Sequence, residues 1–79
     1  MNLAELPLNQ RATIARIDWT ILGETAARRL RALGFDDGVL VEALHKGGMI
    51  AKDPIAVRVG RMTVALRKSQ AAAISLEPQ

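Results

Sequence analysis

Apolar and polar positions alternate most cleanly near the C-terminus. Ile55, Val57 and Val59 alternate with Ala56 and Arg58, and Met62, Val64 and Leu66 alternate with Thr63, Ala65 and Arg67. A period of two marks strands with one buried face. Gly60-Arg61 lies between the runs, and glycine at the first central position suits a two-residue type II′ turn. That register sets Val59 opposite Met62, Val57 opposite Val64 and Ile55 opposite Leu66, all on one face. Pro54 opens the first of these strands. Upstream, Ala26, Leu30 and Leu33 recur at i, i+4 and i+7, which predicts a helix over 24–33. Glu24 favours its N-terminal end and pairs with Arg28 at i+4. Gly34 reads as the left-handed residue past the helix end, with Phe35 packing back on Leu30.

The remaining elements are shorter. Residues 3–8 form a lead-in segment, with Pro7 limiting regular pairing. Asn9-Gln10 reads as a turn, since asparagine tolerates positive φ. Arg11 to Asp18 reads as a strand whose anchors Ile14 and Ile17 stand three apart, as a bulge would require. Asp36-Asp37-Gly38 is a turn. Val39 to Leu44 reads as a strand covered on both sides, with Val39, Val41 and Ala43 on one face and Leu40 and Leu44 on the other. His45 to Asp53 is a loop in which Gly47-Gly48 reads as flexible. Ser69 is the expected cap of a single helical turn over 70–73, and Ile74 with Leu76 forms a last strand. Five short strands and one helix predict a mainly β fold: a small, partly open barrel, in one domain over residues 1–79.

Composition narrows the chemistry. The 79 residues include no cysteine, no tyrosine, one histidine, one tryptophan and one phenylalanine, with 49% hydrophobic content. A chain of this size buries only about 60% of its unfolded surface, leaving little volume for a cleft. Disulfides, thiol catalysis and cysteine-ligated metals are excluded. Ser69 and Ser75 lack a glycine elbow, and His45 beside Lys46 reads as a solvent-facing loop residue. No enzyme is expected. A tight metal site is not expected either, because one histidine with Asp36, Asp37, Glu42 and Asp53 is a poor set for borderline metals. A weak or intermolecular divalent site at His45, Asp36, Asp37 or Asp53 stays open. The N-terminal residues show no basic and apolar leader pattern, and no apolar run approaches the roughly 18 residues of a membrane span. A soluble cytoplasmic protein is expected.

The net charge of +3 is unevenly placed. Between residues 46 and 68, Lys46, Lys52, Arg58, Arg61, Arg67 and Lys68 oppose Asp53 alone, a local +5. Such a segment favours an anionic partner. One reading is a nucleic-acid barrel that uses residues 46–68 against phosphate. It lacks the aromatic platforms such domains add, so a solvated basic face is preferred. Proline-rich peptide recognition would need an aromatic groove that two aromatic residues cannot line.

Taken in order, these segments resemble the FeoA family of ferrous iron transport. The resemblance runs from the Leu6-Pro7 step and the Ile14/Ile17 pair through Arg28-Arg29-Leu30-x-x-Leu33-Gly34-Phe35-x-x-Gly38. It continues through Asp53-Pro54-Ile55-x-Val57-x-Val59-Gly60 to Val64-Ala65-Leu66-Arg67-x-x-x-Ala71-x-x-Ile74. It covers nearly the whole chain. The chain departs from the family pattern at Asn9, at Asp37 and in the basic 45–52 loop. The resemblance implies an SH3-like barrel with an inserted helix, a module also similar to the C-terminal domain of iron-dependent repressors. It implies a non-enzymatic accessory role: binding the cytosolic part of the FeoB transporter at the inner face of the bacterial inner membrane, with no membrane insertion of its own. No catalytic residues carry over. Leu30, Leu33, Gly34, Gly38, Pro54 and Gly60 match as structural positions. The expected partner surface is the exposed set Arg28, Arg29 and Arg31 on the helix with Arg58, Arg61 and Arg67 on the hairpin. Homo-oligomers are a further expectation, because thin barrels leave edge strands that can pair.

Overall fold

In the computed structural model, residues 1–48 and 53–78 are described. Five antiparallel strands form one sheet in the order β4-β3-β2-β1-β5: β1 (Arg11–Ile17), β2 (Leu40–Lys46), β3 (Ile55–Val59), β4 (Met62–Leu66) and β5 (Ile74–Leu76). The outer strands β4 and β5 do not pair with each other, so the sheet curls without closing. Helices α1 (Trp19–Leu22) and α2 (Glu24–Ala32) follow β1, and α3 (Lys68–Ala72) joins β4 to β5. A short 3₁₀ turn at Leu3–Glu5 precedes the sheet, where Asn2 and Glu5 cap one another reciprocally.

The hairpin has the register expected from its alternation: Val59 faces Met62, Val57 faces Val64 and Ile55 faces Leu66. Gly60 has φ +58° and Arg61 is not at positive φ, as a type II′ turn requires. Met62 shares the inner side by register, yet it is 45% exposed because it stands at the open end of an edge strand.

Bulges explain the irregular spacings. In β1, Ile14 and Arg16 oppose consecutive residues of β5, so Ala15 is the extra residue. The inserted residue reverses the side-chain phase, and both Ile14 and Ile17 are buried despite standing three apart. A second bulge lies in β2, where Ala43 and His45 oppose Val57 and Ala56, leaving Leu44 extra. This strand therefore runs to Lys46 instead of ending at Leu44, and His45 lies in a strand with its side chain exposed. The expectation of cover on both faces fails: Leu40 is 52% exposed.

Helix α2 begins at Gly23 and ends in a full Schellman arrangement. The Phe35 N–H donates to Leu30 O at 3.0 Å and the Gly34 N–H to Arg31 O at 3.1 Å, with Gly34 at φ +99°. Its buried positions are Ala27 and Leu30. The expected stripe is thus rotated: Ala26 and Leu33 are only half-buried. Leu30 and Phe35 enter a core with Ile14, Val41, Ile55, Val57 and Leu66, and Leu3, Leu6, Ala71 and Ile74 close the far side.

Two local expectations are replaced by longer-range contacts. Ser69 does not cap α3; the Arg67 N–H donates to Gln70 Oε1, and the Lys68 N–H donates to Asp53 Oδ1 at 3.0 Å. At Gly47, read as part of a flexible loop, the N–H donates to Pro54 O at 2.8 Å. A Cβ at Gly47 would stand 3.3 Å from Asp53 O, Pro54 Cδ and Pro54 O, a tight contact that the 53–54 backbone would have to give way to by a few tenths of an ångström. The rest of the expected loop, residues 49–52, lies outside the described residues.

Candidate partner-binding surface

The six arginines expected to bind a partner do not form one patch. On α2, Arg28 points along the helix and pairs with Glu24 Oε1 at 3.0 Å. Arg31 stacks its guanidinium 4.2 Å from the centre of the Trp19 ring, tying α2 back to α1. Arg29 leaves the helix altogether and donates from Nη2 to Ala65 O on β4 at 3.3 Å. Arg58 belongs to the outer face of the sheet. There it pairs in register with Glu42, which pairs in register with Arg11 on the next strand. Arg11 Nε stands 3.7 Å from Glu42 Oε1. These three line a groove with Leu40 and Gly60. Arg61 occupies the hairpin tip and Arg67 follows the end of β4, both exposed.

One cleft takes Arg29, alone of the six arginines. It lies between α2 and β4 and is lined by Arg29, Ala32 and Leu33 on one side and Met62, Thr63, Val64 and Ala65 on the other. Its wall is mostly apolar, Arg29 is the charged residue of its lining, and no carboxylate lines it. The sequence placed these residues on separate elements. Nothing local announces that Arg29 reaches across 36 positions to Ala65.

The basic segment 46–68 is likewise divided. Lys46 is half-buried and donates from Nζ to Ala4 O at 3.1 Å. Arg58 shares its groove with Glu42. The local +5 is therefore not one continuous face, and Lys52 lies outside the described residues.

Two of the acidic candidates, Asp36 and Asp53, are occupied by hydrogen bonds to the backbone. Asp36 Oδ1 accepts from the Asp37 N–H at 2.8 Å, and Asp53 caps α3. Asp18, read as the end of a strand, instead caps α1 by accepting from the Ile21 N–H at 3.2 Å. Its position just before a short apolar run is the signal that could have revealed α1. Among the described residues no group of three or more His, Cys, Asp and Glu side chains is placed to hold a metal ion. Nor is any helix among them long and apolar enough to cross a membrane.

A family model described as the FeoA domain matches residues 1–78. The chain belongs to the FeoA family. Solved FeoA structures share its fold. The FeoA of Stenotrophomonas maltophilia, crystallised with zinc and described as a prokaryotic SH3 domain protein, is 36% identical; the match covers 98% of this chain and 89% of that one, with a TM-score of 0.82. The FeoA of Chlorobium tepidum is 28% identical over 96% of this chain and 68% of its own, again with a TM-score of 0.82. Iron(II) transport protein A of Clostridium thermocellum is 27% identical at the same TM-score, and this chain spans 44% of its length. No curated protein sequence matches the chain. The FeoA fold here is thus mainly β and SH3-like, an open five-stranded sheet with inserted helices.

Proposed function

We propose that this FeoA-family chain is a non-enzymatic cytosolic accessory protein of ferrous iron uptake, which binds the cytosolic part of the FeoB transporter and regulates or assembles it. The family match over residues 1–78 carries the reading. The S. maltophilia relative is described as a candidate activating factor of bacterial ferrous iron transport, which supports the same role. Binding and positioning are its mode of action, and the partner supplies the chemistry. The chain would reach the inner face of the membrane only through that partner.

The proposed contact residues are Arg28, Arg29, Arg31, Arg58, Arg61 and Arg67, which stand on more than one face, and of these Arg29 lines the α2–β4 cleft. An apolar floor with a cation at its wall is the make-up of an interface core, where buried contacts are apolar and arginine is enriched. Capture of the transporter's cytosolic domain by the immobilised chain, in GTP-bound, GDP-bound and nucleotide-free states, tests the reading. Capture in at least one state is expected, with a loss of about tenfold on Arg29→Glu/Arg61→Glu. Absence of capture in every state overturns it.

A further inference from the structure

The two edges of the sheet are finished differently. The β5 edge is covered: Asn2 bridges Ser75, and the Leu76 N–H donates to Met1 O at 2.9 Å. The β4 edge faces the α2 cleft instead. In a two-residue hairpin the residues flanking the turn exchange both backbone bonds, and such pairs alternate along an antiparallel ladder. Val59–Met62, Val57–Val64 and Ile55–Leu66 are then the bonded pairs. Thr63 and Ala65 must point their N–H and C=O groups away from β3. The Arg29 bond to Ala65 O, which arrives from the opposite side, agrees with that orientation. Thr63 N–H, Thr63 C=O and Ala65 N–H remain as an unused row. Exposed edges of this kind are templates for another strand unless they are protected.

We propose that the β4 edge binds an extended acidic segment of a partner protein as an added antiparallel strand. Three observations fix its chemistry. The free backbone groups of Thr63 and Ala65 require an extended peptide. Ala32, Leu33, Met62 and Val64 offer an apolar wall on the inner side, where every second peptide residue would point. Arg61 and Arg67 flank the two ends of β4 and are exposed, and Arg29 lines the cleft beside its edge, so the charged groups nearest the edge are cations. Charge also decides against a second copy of this chain, because paired β4 edges would bring two sets of Arg29, Arg61 and Arg67 together. On binding, Arg29 exchanges the Ala65 carbonyl for a peptide carboxylate. The inference deepens the proposed partner binding and rests on it only for the existence of a protein partner.

The test is a titration of the full isotope-labelled chain with the capped peptide Ac-Glu-Val-Glu-Val-Glu-Val-NH2. It is independent of transporter capture, so either experiment can fail alone. Saturable amide shifts centred on Thr63 and Ala65 are expected. N-methylation of the glutamates, whose N–H groups would face Thr63 and Ala65, should weaken binding by about tenfold or more. N-methylation of the valines, whose N–H groups would face away, should leave it nearly unchanged. Thr63→Pro removes an outward N–H that the ladder does not use, so it should fold and lose binding. Arg29→Glu should lose the acidic peptide with the hairpin intact, which keeps the test decisive if Thr63→Pro does not fold. Shifts elsewhere, equal binding of Ac-Lys-Val-Lys-Val-Lys-Val-NH2, indifference to glutamate N-methylation, self-association through β4, or no binding at all would each overturn the proposal.

Discussion

The guanidinium carbon of Arg31 lies 4.2 Å from the centre of the Trp19 ring. This contact joins two helices that the chain places on either side of Gly23. The same helix sends Arg29 to Ala65 on the edge strand. Successive faces of α2 are thus used for internal docking before any partner is met. A charged helix face read as a solvated or partner-binding surface is already engaged in all three of its arginines, Arg28 with Glu24, Arg29 with Ala65 and Arg31 with Trp19.

Arg31→Ala should destabilise the fold by about 0.5–1 kcal/mol, the range of an exposed cation–π pair. Trp19 is the only tryptophan. Its fluorescence should therefore change in the native state and report the lowered urea midpoint, with Arg31→Lys intermediate.

Gly34→Ala should cost about 1–2 kcal/mol, since its φ of +99° is a conformation that a side chain resists. Space is not the reason, because nothing lies within 4 Å of a Cβ built there. Gly34→Asn should cost less than Gly34→Ala, and denaturant unfolding of both variants checks the order.

Asp53→Ala removes the acceptor for the Lys68 N–H and should cost about 1 kcal/mol, as loss of a helix cap does. Hydrogen exchange should quicken selectively at Lys68 and the first turn of α3. Asp53→Asn should retain most of the protection.

Phe35→Ala should be the most damaging of the substitutions considered, at about 3–5 kcal/mol for a buried phenylalanine. Phe35 is 1% exposed and packs in the core beside Leu30. A chain of this size is worth only about 4–12 kcal/mol in total, so the variant should show a steeply reduced urea midpoint or no cooperative transition.

The hairpin was legible because its turn residues and its period of two specify one register, and each supports the other. The exit of α2 was legible for the same reason: Gly34 and Phe35 act within six residues of the helix they end. The β1 bulge could be read from the three-residue spacing of Ile14 and Ile17. The bulge at Leu44 could not, because Leu40 and Leu44 look apolar whether they are covered or exposed. Asp53 lies in the loop where it was expected, but its bond to the Lys68 N–H could not be read, since the two stand fifteen positions apart.

The sequence by itself therefore determined the strands, the helix exit, the hairpin register and the family, all of which depend on short spacings and residue types. Only the tertiary structure decided where the charged groups end up. It turned Arg31 onto Trp19, Arg29 onto Ala65 and Lys46 onto Ala4. It also left the β4 edge facing a cleft while covering the β5 edge with the N-terminus. The physical reason is reach. Long flexible cations take whichever carbonyl or ring the folded backbone brings near, and hydrophobic periodicity carries no record of that choice.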